Sequence, residues 1–364
     1  MAEVEIKDFE EGKDIDKELA QIISQQKAKI KVIGLGGGGG NALTRMREVG
    51  IKGSEFIAIN TDAQDLLYTE ADAKILIGKE LTHGLGAGSN PTVGEEAAHE
   101  SEAELKKKLF GANMVFLTCG LGGGTGTGAT PVVANLAKKM GMLTIAIVTL
   151  PFSVEGNKRY ENALRGLDKL ERLVDTLIVI PNDKLLDLAP DLPIYTAFKI
   201  ADEVLMNAVK GITELVTKPG LVNLDFADIR AVMTNGGVSV IGVGESDSAQ
   251  RAQEAVEKAM ENPLLDVSID GATGALVNIS GGKDLTLQET KHAIEVIGKR
   301  LNPDAKLIWG AQISEDLGKT LRVLLIITGV KSPQILGPGE SSVDKAQREI
   351  SEEFGIEFVE ENKE

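Results

Sequence analysis

The chain has 364 residues, of which 42% are hydrophobic and 26% charged, and it carries a net charge of −16. This length allows two packed domains of ordinary globular composition. The negative charge argues against nucleic acid as a partner, because phosphate backbones are bound by Lys and Arg. The N-terminus is acidic, which argues against a secretory signal. No run of about 18 uncharged apolar residues is present, so we expect no direct membrane insertion. With a single cysteine, Cys119, these features favour a cytoplasmic location.

The first half of the chain alternates buried strands with helices. Residues 1–27 are polar and predict an N-terminal extension. Beyond them, strands are predicted at 29–36, 55–60, 73–78, 113–120, 143–151 and 176–182, and helices at 41–50, 94–109, 130–141 and 157–174. This alternation predicts an α/β fold with a Rossmann-like parallel sheet covered on both faces.

A long helix divides the two halves of the chain. Residues 195–217 contain no proline and predict one continuous helix, which Pro219 and Gly220 end. Strands are then predicted at 239–246, 272–281, 306–314 and 320–330, with helices at 225–233, 249–262 and 285–301. We therefore predict a first domain at 28–194, a central helix at 195–219, a smaller α/β C-terminal domain at 220–330, and a polar linker with a terminal peptide at 331–364.

A run of five glycines, 36–40, follows the first predicted strand and precedes Asn41. Consecutive glycines let the backbone approach a phosphate closely, and the N-terminus of the following helix favours negative charge. The alternative is a tight structural turn. The run does not specify the nucleotide, because Gly34, Gly36 and Gly39 also satisfy the dinucleotide pattern G-x-G-x-x-G.

A second glycine-rich segment, 122–128, also lies between a strand and a helix. Its backbone N–H groups and the hydroxyls of Thr125 and Thr127 are suitable phosphate ligands. Two such segments at the carboxyl ends of strands in one sheet predict a polyphosphate held from two sides. We also expect a side chain introduced at Gly124 or Gly126 to obstruct the phosphate. A P-loop is excluded, because Gly318-Lys319-Thr320 lacks the required upstream glycine.

Six motifs in order resemble the FtsZ family, the tubulin-like division proteins of prokaryotes. They are GGGGGN (36–41), NTD (60–62), GLGAGSNP (84–91), GGGTGTG (122–128), PFSVEGNKR (151–159) and NLDFADI (223–229), within a resemblance that covers about residues 28–330. It implies a tubulin/FtsZ-like fold in which 28–194 is a GTP-binding domain. It also implies a GTPase that assembles head to tail into filaments, forming the contractile ring at the division site.

The resemblance implies a set of GTP-binding residues: Gly37, Gly38, Gly39, Gly40, Asn41, Asn60, Asp62, Gly86, Ala87, Gly88, Gly122, Gly123, Gly124, Thr125, Gly126, Thr127, Gly128, Glu155, Arg159, Asn182, Phe198 and Asp202. The resemblance implies that Glu155 and Arg159 contact the ribose, although their spacing alone equally predicts a surface ion pair. Phe198 stacks on the purine and Asp202 accepts hydrogen bonds from guanine. Without the resemblance, Phe198 would be a core residue and Asp202 a solvated one. Mg²⁺ is expected on the phosphates and water, with no protein ligand.

The segment that contains Asn223, Asp225 and Asp228 carries the implied catalytic residues. In the FtsZ family this loop lies far from its own nucleotide, contacts the γ-phosphate of the next subunit and orients the attacking water. Hydrolysis would then require assembly. The alternative is structural, with Asp225 as a helix N-cap and Asp228 as a first-turn acid that suits the helix dipole.

The terminal peptide at 349–359 combines apolar residues with acids after a polar linker. Such a cluster predicts docking on a partner, and the resemblance implies a membrane-tethering division protein. The alternative is packing on the globular body. Two other functions stay open at this point: a nicotinamide-dependent dehydrogenase, and a tubulin-like protein that binds GTP and regulates other filaments without hydrolysis.

Overall fold

Ten strands form one sheet in the computed structural model, which describes residues 28–184, 194–217, 221–222, 225–260, 272–302 and 304–330. The predicted N-terminal extension 1–27, Asn223, and the predicted linker and peptide at 331–364 lie outside the described residues.

The strands are β1 (Ile30–Leu35), β2 (Ser54–Asn60), β3 (Ala73–Leu76), β4 (Met114–Gly120), β5 (Leu143–Leu150), β6 (Thr176–Pro181), β7 (Gly237–Ser246), β8 (Gly274–Gly281), β9 (Lys306–Ile313) and β10 (Leu321–Thr328). Their order in the sheet is β3-β2-β1-β4-β5-β6-β7-β10-β8-β9. The first seven in this order are parallel, and β10 is antiparallel to both β7 and β8.

The helices are α1 (Gly36–Glu48), α2 (Ala63–Tyr68), α3 (Lys79–Thr82), α4 (Pro91–Glu100), α5 (Glu102–Leu109), α6 (Thr125–Lys139), α7 (Asn157–Leu173), α8 (Ile194–Thr217), α9 (Phe226–Met233), α10 (Arg251–Met260) and α11 (Leu287–Gly298). Two 3₁₀ turns lie at Ser153–Glu155 and Glu315–Leu317. The predicted α/β class is confirmed.

Side chains alternate between the two faces of the sheet, as the pleat requires. In β1, Ile33 belongs to the apolar cluster on one face and Val32 to the cluster on the other. Helix α6 covers the first face, where Val133 is buried, and α1 and α8 cover the second, where Leu43 and Val209 are buried. Both faces are therefore covered, which explains why the central strands are almost wholly apolar.

Three predicted helices differ most from the structure, and the short helices α2 and α3 were not predicted. Helix α1 begins at Gly36, not at residue 41, and α6 begins at Thr125, not at 130. Glycine has a low helix propensity, but here tertiary packing outweighs it: an added Cβ on Gly39 would lie 2.5 Å from the Thr118 carbonyl oxygen. The predicted helix 94–109 is two helices that meet at Ser101, whose hydroxyl accepts a hydrogen bond from the Gly78 N–H.

The two halves of the chain share the one sheet. Strand β7 pairs with β6 from Thr176↔Gly237 to Ile178↔Ser239, so the later strands extend the earlier sheet. The domain boundaries given above stay a prediction. We call the side where β1–β6 end the carboxyl edge, and the side where they begin the amino edge.

Helix α8 connects these two edges. Near its start, Phe198 contacts Phe152, which follows β5 at the carboxyl edge, with ring centroids 5.1 Å apart. At its end, Thr217 lies against Gly53, which precedes β2 at the amino edge; an added Cβ there would be 2.8 Å from Thr217 Cγ2. Its 24 residues span about 36 Å. Residues at the start of the helix therefore lie at the carboxyl edge, and residues at its end lie at the amino edge.

Candidate functional site

Two glycine segments meet where the strand order turns back, between β1 and β4. At such a point, the connections that follow two adjacent parallel strands leave in opposite directions. The crevice between these connections commonly binds ligands. An added Cβ on Gly36 would lie 3.0 Å from the Gly126 nitrogen, and one on Gly38 would lie 3.1 Å from the Gly120 nitrogen. The two backbones therefore lie in close contact, and a side chain at Gly36 or Gly38 would require the neighbouring backbone to move.

Helices α1 and α6 both begin in this crevice. Among the described residues, no side chain caps either N-terminus. The first N–H groups of a helix have no partner within the helix and favour an anion. Two uncapped helix N-termini at one crevice therefore offer N–H donors to an anion, as the predicted phosphate site requires.

The segment 122–128 is stabilised by its own side chains. Thr127 Oγ1 accepts a 2.8 Å hydrogen bond from the Gly122 N–H, and Thr125 Oγ1 lies 2.6 Å from Thr61 Oγ1. Both hydroxyls thus have partners inside the protein. An added Cβ on Gly123 would meet nothing within 4 Å, so this residue borders open space.

A side chain at Gly124 or Gly126 would meet the protein itself, so its effect would not be confined to a phosphate. An added Cβ on Gly126 would lie 2.9 Å from the Gly120 carbonyl oxygen and 3.2 Å from Cys119 Cβ. One on Gly124 would lie 2.7 Å from Ala87 Cβ. At both positions the absence of a side chain lets neighbouring residues of the same chain pack directly on the glycine. Gly124 has φ −80°, and Gly126 is not among the glycines with positive φ, so packing and not backbone conformation requires glycine here.

The predicted residues that follow β2 and β3 build adjacent turns. Asn60 Nδ2 donates to Asp65 Oδ2 at 2.6 Å, and Asp62 caps α2 by accepting from the N–H groups of Gln64 and Asp65. The Gly86 N–H donates to the Thr61 carbonyl oxygen at 3.2 Å. Ala87 packs on Gly124, and Gly88 has φ +56° with open space beside it. Of these residues, Ala87 contacts the second glycine segment directly.

A cavity of about 530 Å³ opens beside the glycine segments, within the range that holds small ligands. It is lined by Gly38, Asn41, Thr44, Arg45, Glu48, Cys119, Gly120, Leu121, Thr149, Pro151, Glu155, Arg159, Asn182, Phe198, Ala201, Asp202 and Leu205. Seven of the predicted binding residues, from Gly38 to Asp202, are thus together in one cavity although they are spread over half the chain.

Asp202 and Phe198 lie at one end of the cavity, on the same face of α8. Arg45 Nε lies 2.7 Å from Asp202 Oδ2. Burial raises the pKa of Asp202 to about 6, although Arg45 acts in the opposite direction. Phe198 is 40% exposed in spite of its contact with Phe152, which leaves part of its ring open to a ligand.

Glu155, Arg159 and Asn182 line another side of the cavity. Arg159 Nε lies 2.9 Å from Glu155 Oε2, and Glu155 Oε1 accepts from the Phe152 N–H at 2.8 Å. The ion pair that spacing alone predicted is therefore present, and it lies in the cavity. Asn182 is 4% exposed, and its Oδ1 has no hydrogen-bond partner among the described residues. A buried acceptor of this kind is rare unless a ligand or water meets it.

Asp225 and Asp228 lie at the amino edge. Asp225 Oδ1 accepts from the Asp228 N–H at 2.7 Å, and Asp228 Oδ2 accepts from the Asp225 N–H at 3.1 Å. This reciprocal capping box starts α9, as the structural alternative predicted. Arg230 in the same helix donates to the Gly141 carbonyl oxygen, just before β5, at 2.6 Å. The two acids therefore lie at the amino edge of the sheet, whereas the cavity lies at the carboxyl edge.

Sequence reasoning did not identify Arg45 or Thr44 as cavity residues. From the sequence, Arg45 is one of several basic residues near the end of a helix. One signal was available: Arg45 is four residues after Asn41 and shares its helix face. Cys119 also lines the cavity, and burial raises the pKa of its thiol to about 12, so it stays protonated.

The described part of the chain contains no group of three or more His, Cys, Asp or Glu side chains arranged to hold a metal ion. The same residues include no helix that is long and apolar enough to cross a membrane.

Comparison with known proteins agrees with this geometry. The model of the Tubulin/FtsZ family GTPase domain matches residues 29–190, and that of the FtsZ family C-terminal domain matches 237–331. Cell division protein FtsZ 1 of Thermococcus kodakarensis is 62% identical over 320 residues, which cover 88% of this chain and 86% of the relative. Its counterpart in Methanocaldococcus jannaschii is 59% identical and covers 87% of each chain.

Solved structures give the same result. An empty FtsZ dimer from M. jannaschii superposes with a TM-score of 0.82 at 55% identity, covering 90% of this chain and 98% of that one. CetZ2 from Haloferax volcanii, at 22% identity and a TM-score of 0.72, shares the fold.

Fold and crevice define a GTPase of the tubulin/FtsZ class, which binds GTP and GDP. Within that class, the chain belongs to the FtsZ family of cell-division proteins. The family assignment supports a cytoskeletal role in division, and it removes the dehydrogenase alternative.

Proposed function

We propose that GTP lies with its phosphates over the two glycine segments and its base between Phe198 and Asp202. The uncapped N-termini of α1 and α6 supply N–H donors to the phosphates. Glu155 and Arg159 face the ribose, and Asn182 supplies the buried acceptor that lacks a partner. The remaining predicted residues, from Asn60 to Gly88, support the phosphate segment from behind.

In this arrangement, Mg²⁺ would be held by the phosphates of the bound nucleotide. Phosphate oxygens and water are its usual ligands in such sites. The hydroxyls of Thr125 and Thr127 already have partners within the protein, and Asp62 Oδ1 caps α2, which favours an ion held by phosphates and water. When bound, the ion supplies charge neutralisation at the phosphates; the chain itself supplies the N–H donors and orients the base and ribose.

We infer that hydrolysis is completed in trans by Asp225 and Asp228, with Asn223, of an adjacent subunit. The observation that carries this proposal is the separation of the two edges by α8. The glycine segments and cavity are at its beginning, whereas the loop before α9 follows its end. Since the helix is about 36 Å long, these acids do not reach the nucleotide of their own chain.

Such a contact joins two different surfaces, so repetition produces an open head-to-tail filament. The solved FtsZ dimer of M. jannaschii supports self-association in this family. Under this proposal the filaments form the contractile ring at the division site of the cytoplasm, and the peptide 349–359 contacts membrane-tethering division proteins. The alternative, a protein that binds GTP and regulates other filaments without hydrolysis, lacks an observation in its favour.

A mixing experiment tests the trans arrangement. Gly123→Val is designed to bind GTP weakly but keeps Asp225 and Asp228, whereas Asp225→Ser binds GTP but lacks one acid, so the mixture is assayed at a GTP concentration that leaves Gly123→Val largely unbound. Each variant alone should hydrolyse GTP slowly. A mixture should recover activity, because an intact acid loop then meets a bound GTP at mixed contacts. No recovery, in mixtures that sedimentation shows to contain both variants in one polymer, would contradict the proposal.

A further inference from the structure

Arg45 and Asp202 form an ion pair inside the nucleotide cavity. Arg45 Nε lies 2.7 Å from Asp202 Oδ2, and the two side chains are only 21% and 17% exposed. Arg45 extends from α1, one turn after Asn41, and Asp202 extends from α8. The pair thus bridges two helices at the end of the cavity where Phe198 lies.

The protonation state of Asp202 determines which purine it can pair with. An ionised carboxylate only accepts hydrogen bonds, and guanine offers two adjacent donors, N1–H and the exocyclic amine. A neutral carboxyl group has one donor and one acceptor, which match the N1 acceptor and N6 amine donor of adenine. The same side chain therefore favours guanine when charged and adenine when protonated.

We propose that Arg45 is a positioning residue that determines purine specificity, by holding Asp202 in the ionised form that pairs with guanine. This inference rests on the proposed contact between Asp202 and the base. The arginine Nε occupies one acceptor position of Oδ2, and a carboxylate has about four such positions. Enough acceptor capacity remains for the two guanine donors while the ion pair persists.

The electrostatic surroundings support this role. Burial raises the pKa of Asp202 to about 6, while Arg45 lowers it, so removal of Arg45 leaves burial unopposed and raises the pKa further. The other charged groups around the cavity are Glu48 on α1 and the mutually paired Glu155 and Arg159.

Helix α8 adds Lys199 and Glu203 beside Asp202, and both are exposed. Solvent screens exposed charges, and the shift of Asp202 arises from burial and Arg45. Arg45 is therefore the cation that sets the charge of this carboxyl group near neutral pH.

The test compares GDP and ADP binding by calorimetry from pH 5.5 to 8.5. Both ligands avoid hydrolysis during the measurement. In the unaltered protein, GDP affinity should be constant above the pKa of Asp202 and fall about tenfold per pH unit below it. In Arg45→Gln the fall should begin about 1 to 3 pH units higher. At pH 7 the preference for GDP over ADP should narrow, and at pH 8.5 much of the GDP affinity should return.

Three further variants sharpen the test. Arg45→Lys keeps the charge and should restore the original pH profile. Arg47→Gln removes the same charge from the same helix, but Arg47 pairs with Asp72 outside the cavity, so its profile should match the unaltered protein. Arg45→Met is a second neutral variant that keeps the aliphatic stem, for use if the glutamine destabilises α1.

An unchanged or tighter GDP affinity at every pH in the neutral variants would overturn the proposal, because Arg45 would then be idle or would compete with the base. Asp202→Asn separates this failure from that of the base contact itself. If Asp202→Asn keeps the full preference for GDP, Asp202 does not contact the base. If it removes the preference while Arg45→Gln does not, only the role of Arg45 is wrong.

Discussion

The carboxyl edge and the amino edge of the sheet are built in opposite ways. At the carboxyl edge, backbone touches backbone: Gly36 lies against Gly126 and Gly38 against Gly120. At the amino edge, Asp225 is exposed, Asp228 is half-buried, and the two acids cap each other's N–H groups. The first edge is preorganised to hold a ligand, whereas the second presents charged groups to the outside.

Under the proposed function, this difference means that one chain alone holds GTP but hydrolyses it slowly. In the crevice, Asp65 Oδ2 lies 3.3 Å from where a Cβ on Gly37 would be, but it already accepts a hydrogen bond from Asn60 Nδ2. The acids of α9 lie beyond the far end of α8. Under the proposed function, binding and catalysis depend on different surfaces, which contact between subunits brings together.

The largest effect is expected from Asp225→Ser. Serine keeps the N-cap hydrogen bond but removes the carboxylate. We expect GTP hydrolysis to fall by about 10²-fold or more, with GTP affinity unchanged and the free energy of unfolding nearly unchanged. Asp225→Ala is the matched variant, which should lose the same activity and also about 1 kcal/mol of stability. Normal hydrolysis by Asp225→Ser, measured as phosphate release, would mean that Asp225 only caps α9.

The next effect separates two glycines of the same segment. In Gly123→Val the side chain enters open space, so the protein should fold normally but bind GTP about tenfold or more weakly, through about 1–3 kcal/mol of steric conflict with the phosphates. In Gly126→Val the side chain meets Gly120 and Cys119, so the melting temperature should fall. Calorimetric affinity and thermal unfolding distinguish them. Equal melting temperatures would refute the packing role of Gly126.

A smaller effect is expected away from both edges, at Glu289. Arg251 holds the pKa of Glu289 at about 2, against an ordinary value of 4.5. A lowered pKa stabilises the fold above pH 4.5, and this stabilisation is lost as pH falls through about 2. Glu289→Gln keeps the N3 cap of α11 but should cost about 1–3 kcal/mol of unfolding free energy at pH 7.

The control for this prediction is the pH series itself. The difference in stability between Glu289→Gln and the unaltered protein should shrink below pH 4.5 and vanish near pH 2. GTP hydrolysis at pH 7 and moderate temperature should stay the same in both. A stability difference that does not depend on pH would exclude the Arg251–Glu289 ion pair as its source.

The smallest effect on catalysis is expected from deletion of residues 349–364. GTP turnover and sedimentable polymer should change little, because neither edge includes this peptide in the proposed function. Binding to a membrane-tethering partner should be lost, as a pull-down would measure. Loss of polymer in the deletion variant would instead mean that the peptide packs on the globular part.

The sequence was sufficient for the alternating strands and helices, because buried parallel strands and amphipathic helices have distinct apolar patterns. It was insufficient for the starts of α1 and α6, since the contact between Gly39 and Thr118 that favours a helical glycine run is distant in the chain. Arg45 was missed for the same reason: its partner Asp202 is on another helix. The cap formed by Asp225 and Asp228 was local and was predicted as an alternative.

The dependence of turnover on concentration tests the central claim most directly. GTP hydrolysis per subunit should be measured across a dilution series while light scattering reports assembly. If the site is completed between subunits, the rate per subunit should rise with concentration and approach zero where only monomers remain. A rate per subunit that stays constant down to the monomeric range would place the whole active site in one chain and contradict the separation of function between the two edges.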